Sequence, residues 1–358
     1  MRRTLLAAAL ALFVLGGCGA ASQGYGARSA GVSPSAAETP TPTGAGTPSG
    51  LPVPSPTPAA VRAGAPAWVA VSVATEWRSP SSPRPVDAPA LAAPARIREW
   101  LAALSPTDQA GLIGRADSQV LLGDRVDVTA VSRSWAHVVV PDQATPLDPR
   151  GYPGWIPLAQ LSAVEPPASG LVATVTDPTT WLLRGGLPVV EVAFGTRLPV
   201  VDQVASIVQV GLPGEVVLDA PSSAVAIAPA GTPARDSAGA AVVESAHLFL
   251  GVRYLWAGTS AFGFDCSGLV YNVFRVHGVV LPRDAQDQAL VGTAVAKQSL
   301  QPADLVFLAR GGVVHHVAIY IGSGMLLDSP DLGRGVQVVS MAAEPYASEF
   351  SGARRVLA

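Results

Sequence analysis

The chain has 358 residues, a formal net charge of −3 and 49% apolar residues, enough for two or three compact units joined by Gly- and Pro-rich linkers. Arginine is scattered rather than clustered and lysine is confined to Lys297, so the sequence carries no electrostatic footprint for nucleic acid. Two cysteines, Cys18 and Cys266, stand in different surroundings.

Arg2 and Arg3 open a segment whose apolar core runs from Leu5 to Leu15 and ends in Gly16-Gly17-Cys18. It is too short for a spanning helix and reads as a secretory signal over 1–17. The Leu-Gly-Gly-Cys end resembles a bacterial lipobox, which implies an extracytoplasmic protein held at the membrane of the cell envelope by a lipid on Cys18. An ordinary signal with an incidental cysteine is the alternative. Residues 18–65 are rich in Ala, Ser, Thr, Gly and Pro with no hydrophobic period and predict a disordered tether. At polyproline-like extension it would reach on the order of 140 Å.

Residues 66–165 change to short β-rich runs. Trp68 to Thr75 alternates like a half-buried strand, and Gln119 to Ala130 and Ser134 to Val140 repeat the signature. Ala95 to Leu104 carries Ile97, Trp100, Leu101 and Leu104 at helical spacing. Gly151-Tyr-Pro-Gly-Trp-Ile156 turns into a closing strand. The run Gly123-Asp-Arg-Val-Asp-Val128, the strand residue Trp135 and Gly154-Trp-Ile156 resemble a bacterial SH3-like barrel, with residues 80–118 as an insertion. Residues 166–230 predict strands at Leu171–Thr176, Thr180–Leu183, Val189–Phe194, Arg197–Val201 and Ser206–Val210. Gly195-Thr-Arg-Leu-Pro-Val200 has the same sense as the earlier Gly-Asp-Arg run, so a second, more divergent barrel is expected.

A Pro/Gly-rich boundary, Pro229 to Gly239, leads into residues 236–358. Two helices are expected there, Ala240–Leu250 and one opening at Cys266 and stopping at Gly278. Strands follow at Leu305–Leu308, His316–Ile321, Met325–Leu327, Val336–Val339 and Arg355–Leu357. Helices before an antiparallel meander define an α+β domain.

Leu269, Val270, Val273 and Phe274 follow Cys266 at spacings of three, four, seven and eight, so one helical face is buried and the thiol opens its first turn. Unpaired N–H groups and the positive end of the dipole favour a thiolate there. A structural, buried cysteine is the alternative, but a thiol left unpaired in an exported protein points to use. A thiol nucleophile needs a base, and the base needs a group to hold its ring. Of the five histidines, His137 falls in the first β domain, while His247 and His277 lie on helices without an evident polar companion. His315 and His316 begin a strand downstream of the Cys266 helix. Strand alternation puts them on opposite faces. His316 shares its face with Ala318 and Tyr320.

Tyr254-Leu-Trp-Ala-Gly258, Phe264-Asp-Cys-Ser-Gly-Leu-Val270, Leu281-Pro-Arg283, Gln288, Pro302-Ala-Asp-Leu-Val-Phe307 and His316-Val-Ala-Ile-Tyr-Ile-Gly322 together resemble the NlpC/P60 family of cell-wall cysteine peptidases. The resemblance implies a papain-like fold with Cys266 as nucleophile and His316 as base. It also implies that Tyr254, Asp265 and Ser267 contact substrate or the oxyanion, and that no metal or cofactor is needed. Aromatic core packing is the alternative for Tyr254 and Trp256. The family commonly places His, Asn or Gln on the next strand to hold the base; this chain has Asp328, which can orient His316 as a carboxylate does in serine-type triads. Asp284 stands where a hydroxyl residue is common.

Two SH3-like barrels before an NlpC/P60 domain resemble enzymes that cut the γ-D-glutamyl–diamino acid bond of peptidoglycan stem peptides and muropeptides. In such relatives the first barrel can wall the cleft and select a free N-terminal L-Ala, for which Glu76, Trp135 and Tyr152 are the candidates here. An inert wall-binding lipoprotein and a related thiol amidase or acyltransferase are the rival readings.

Overall fold

The computed structural model describes residues 60–357; the expected signal, Cys18 and nearly all of the tether lie outside the described residues. Strands β1 (Pro66–Val69), β2 (Val73–Trp77), β3 (Ala116–Leu121), β4 (Arg125–Ser132), β5 (Trp135–Val140), β6 (Tyr152–Pro157) and β7 (Leu161–Ser162) form one sheet in the order β3-β2-β6-β5-β4-β1-β7. Strands β8 (Leu171–Val175), β9 (Thr179–Arg184), β10 (Leu187–Ala193), β11 (Arg197–Val204), β12 (Ile207–Leu212), β13 (Val216–Pro221) and β14 (Val225–Pro229) form a second in the order β10-β9-β13-β12-β11-β8-β14. The two orders match strand for strand, so the second sheet is a structural repeat of the first. Each is an open sheet: among the described residues the edge strands β3 and β7, or β10 and β14, do not pair with each other.

Three sequence expectations are corrected by pairing. The run Trp68–Thr75 is two strands, because β1 pairs with β4 and β7 whereas β2 pairs with β3 and β6. The chain crosses the sheet between them at residues 70–72. The run Gln119–Ala130 is likewise two strands, β3 and β4, broken at Leu122-Gly123-Asp124: they do not pair with each other, because β3 pairs with β2 whereas β4 pairs with β1 and β5. Strands β13 and β14 were not expected at all; Asp219 and the flanking prolines interrupt the apolar period that would announce them.

The insertion between β2 and β3 folds into α1 (Ala88–Leu91), α2 (Ile97–Ala103) and α3 (Pro106–Ala110). Its Ile97, Trp100 and Leu101 are buried in one core with Trp77 of β2 and with Leu255, Ala257 and Phe262, which precede Cys266. Each fully buried large apolar side chain there contributes roughly 1.5–3 kcal/mol, so the insertion fixes the first sheet against the loop that carries the thiol.

The last module has α4 (Gly239–His247), the ribbon β15 (Thr259–Ser260) and β16 (Gly263–Phe264), α5 (Cys266–Val276) and α6 (Ala285–Gln288). Beside them lies an antiparallel sheet in the order β17-β22-β18-β19-β20-β21, made of β17 (Thr293–Ala294), β18 (Leu305–Arg310), β19 (Val313–Gly322), β20 (Met325–Asp328), β21 (Gln337–Ser340) and β22 (Phe350–Arg355). Leu269, Val270, Val273 and Phe274 of α5 pack with Val317 and Ile319 of β19, as their spacing requires. Gly278 takes a φ of +83° just past α5, the conformation that ends a helix. The strand expected at Arg355–Leu357 lies earlier, as β22, and β19 starts at Val313, so the two histidines sit inside the strand rather than at its start.

Arg275 of α5 joins all three modules. Its guanidinium lies 2.5 Å from Asp124 and 3.2 Å from Asp142 of the first module. Asp142 in turn lies 2.5 Å from Arg197 of β11. Among the described residues no helix is long and apolar enough to cross a membrane.

Candidate active site

Cys266 is the first residue of α5 and is partly exposed. Asp265 caps the helix, its Oδ1 accepting from the Gly268 N–H at 2.7 Å. Gly268 is required by crowding: a Cβ there would fall 2.0 Å from the Gly258 carbonyl oxygen. The capping carboxylate is clamped by Arg283, whose Nη1 and Nη2 donate to Oδ1 and Oδ2 at 3.1 and 2.6 Å. Arg283 also donates to Ser267 Oγ at 2.9 Å and, across to β3, to Ser118 Oγ at 3.0 Å. Gln288 Nε2 donates to the Ser267 carbonyl at 3.1 Å. The first turn of the helix is thus held by buried charge-assisted bonds that run into the first sheet.

His316 Nε2 lies 2.7 Å from Asp328 Oδ2, and both side chains are buried. A carboxylate only accepts, so Nε2 donates to Asp328, and Nδ1 is the nitrogen left for Cys266, whose sulfur acts on the ring. Burial lowers the proton affinity of the ring, but the bond to Asp328 and the nearby Cys266 sulfur outweigh it and hold the imidazole pKa up at about 10. Alternation along β19 separates the histidines: His315 faces out to Glu349, at 2.9 Å. Asp328 Oδ2 accepts a second bond, from Tyr346 Oη at 2.7 Å. Tyr346 carries no signal in the sequence.

Tyr254 is buried; that burial, with the nearby Cys266 and Asp265, pushes its hydroxyl well above the usual phenol range. Trp256 donates through Nε1 to the Ala116 carbonyl at 2.9 Å and packs on the core shared with the insertion. Glu76 is fully buried on β2, and neither carboxyl oxygen has a hydrogen-bond partner among the described residues. Burial raises its pKa well above the carboxylate range, with Arg283 pulling the other way. Tyr152 Oη donates to Asp284 Oδ2 at 3.1 Å, and burial raises the pKa of Asp284. Glu76, Tyr152 and Asp284 therefore gather around Arg283, which acts on all three. Trp135 is half-buried on β5 against the core shared with the insertion. His277 differs from expectation: it has polar partners, Ser245 Oγ at 2.9 Å and the Asp236 carbonyl.

A thiol at a helix start, facing an imidazole whose far nitrogen is held by a carboxylate, is equipped for covalent catalysis. The model of the NlpC/P60 family matches residues 251–355. The γ-D-glutamyl-L-lysine dipeptidyl-peptidase of Bacillus subtilis is 35% identical over 290 residues, which cover 79% of this chain and 96% of that protein. The chain belongs to the NlpC/P60 family. The protein of the same name from Bacillus cereus is 35% identical over 306 residues, covering 81% of this chain and 91% of its own. The crystal structure of an NlpC/P60 family protein from Bacillus cereus superposes with a TM-score of 0.78 at 33% identity, covering 82% of this chain and 100% of the other. That match takes in the two β-rich sheets as well as the NlpC/P60 module, and the protein is a cysteine peptidase.

Proposed function

We propose that this NlpC/P60 peptidase cuts the γ-D-glutamyl–diamino acid bond of peptidoglycan stem peptides through Cys266, His316 and Asp328. The observation that carries the reading is the buried His316 ring, bonded to Asp328 at 2.7 Å and acted on by the Cys266 sulfur at the start of α5. Cys266 Sγ attacks the γ-glutamyl carbonyl as a thiolate, its proton held by His316. The developing oxyanion takes hydrogen bonds from the Cys266 N–H and the Tyr254 hydroxyl. Collapse expels the diamino acid, whose amine receives the proton from His316. Water, deprotonated by the same ring, then attacks the thioester and frees the acid and the thiol.

The clustered Glu76, Tyr152 and Asp284 suit the ammonium of a stem peptide with a free N-terminal residue. Glu76 has two unpartnered oxygens and a pKa raised by burial, so an arriving ammonium would supply the charge partner that the buried carboxyl lacks. Asp265 and Ser267 hold the glutamyl end, and Trp135 walls the cleft. The two repeated sheets fit SH3-like modules, and Cys18 fits a lipid anchor at the outer face of the membrane.

The test is incubation of the mature protein with muropeptides and mass analysis of the products. A γ-Glu–diamino acid cut that is lost in Cys266→Ala supports the reading, with stems bearing a free amine cut faster than N-acetylated ones. Binding to wall pellets without a cut, or transfer of an acyl group to an acceptor, contradicts it. Growth in labelled palmitate tests Cys18; an unlabelled mature protein removes the anchor.

A further inference from the structure

Residues 341–349, between β21 and β22, contain no helix or strand, yet they bury Tyr346. Its hydroxyl donates to Asp328 Oδ2 at 2.7 Å, the same oxygen that accepts from His316 Nε2 at 2.7 Å. Asp328 Oδ1 is buried without a hydrogen-bond partner among the described residues. Behind the tyrosine, Gln337 Nε2 donates to Tyr346 Oη at 3.1 Å, and Arg334 Nη2 donates to Gln337 Oε1 at 2.7 Å. The tyrosine and imidazole rings meet edge to face, centroids 6.2 Å apart at 69°. A single oxygen thus carries the whole support of the base, and a chain of donors ending at an exposed arginine sets how much charge that oxygen retains.

We propose that Tyr346 is a positioning residue for the reaction: its hydrogen bond fixes Asp328 and disperses the carboxylate charge, so that His316 is held in place yet gives up its proton to the leaving amine. This rests on the Cys266–His316 mechanism above. An undiluted buried carboxylate would bind the imidazolium too tightly to act as a general acid, because the efficiency of proton transfer depends on the acid's pKa lying near the working pH. The charged and titratable groups that bear on the ring are Cys266 from α5, Asp328 from β20 and Tyr346. Tyr254 lies beside Cys266 and Asp265, and Arg334 bears on Tyr346. Only Tyr346 combines direct contact with Asp328 and a removable donor.

Tyr346→Phe removes the donor and keeps the ring. The expected result is a fall of roughly 10-fold in kcat, with KM within about 2-fold, as for loss of one bond to a charged group. The alkaline limb of the kcat profile should rise by about one pH unit, because the bare carboxylate stabilises the imidazolium. Gln337→Leu, which weakens the tyrosine as a donor, should move that limb the same way by less, and covers the case where Tyr346→Phe folds poorly. In an Asp328→Asn background Tyr346→Phe should have almost no further effect.

Alkylation of Cys266 by iodoacetamide against pH reads the upper inflection without any substrate, so the test stands even if the proposed bond is not the one cut. Unmoved inflections in both variants, or a loss in Tyr346→Phe that is as large without the Asp328 carboxylate as with it, would overturn the proposal.

Discussion

Arg283→Met isolates the device that holds the thiol in place. The guanidinium is only 1% exposed and donates to both Asp265 oxygens, to Ser267 and to Ser118. Met preserves most of the volume and removes every one of these bonds, leaving the Asp265 carboxylate buried with the Gly268 N–H and the Ser267 hydroxyl as partners. Removing one side of a buried pair costs about 3–5 kcal/mol, a large part of the roughly 5–15 kcal/mol of a typical fold. At about 2–4 °C per kcal/mol for a large domain, Tm should fall by on the order of 10 °C. The helix start would also shift, and a displacement of about 1 Å at a reacting group costs on the order of 100-fold in rate. Thermal and urea unfolding measure the first effect and single-turnover cleavage the second. In a double-mutant cycle, Asp265→Asn should recover part of the stability lost in Arg283→Met, since the stranded charge is gone. A Tm loss below about 2 °C, or strict additivity of the two substitutions, would refute the clamp.

Asp328→Asn keeps an acceptor for His316 Nε2 and should retain some activity, whereas Asp328→Leu should lose most of it; equal rates in wild type and both variants would remove Asp328 from the mechanism. The raised pKa of His316 makes a signed prediction about stability. The folded ring titrates at about 10 and the unfolded ring near 6.5, so the folded state binds more protons between those values. The stabilisation is complete below about pH 6.5 and is lost as pH rises through about 10. The Tm difference between wild type and His316→Gln, followed across that window, should shrink with rising pH; a constant difference would contradict the assignment. Glu76→Gln should raise KM for stems with a free amine and leave N-acetylated stems nearly unchanged, and an equal effect on both would remove Glu76 from amine recognition.

The helix of Cys266 was legible because its signal is local: apolar residues at three, four, seven and eight and a stopping Gly278; the capping role of Asp265 comes from the structure. His316 was separable from His315 by strand alternation, and Asp328 was reached only through the family resemblance, as the residue in the place of the usual His, Asn or Gln. What could not be read depends on pairing across long stretches of chain. Arg283 meets Ser118 at a separation of 165 residues, and nothing near either residue announces it. Tyr346 reaches Asp328 from a segment without period or motif. His277 seemed to lack a polar companion because its partners, Ser245 and the Asp236 carbonyl, belong to α4 and the preceding linker. The first barrel's expected long strands failed for a related reason: periodicity reports which residues are buried, not where the chain changes partners.

The central claim is that Cys266 carries the acyl group of the cleaved stem peptide. Acid-quenching a reaction with a stem peptide and mapping the digested enzyme by mass spectrometry tests it directly. The account predicts a thioester-linked L-Ala-γ-D-Glu on the peptide containing Cys266, present in the wild type and absent in Cys266→Ala, which also does not cut. Cleavage that persists in Cys266→Ala, or an adduct on any other residue, would contradict it.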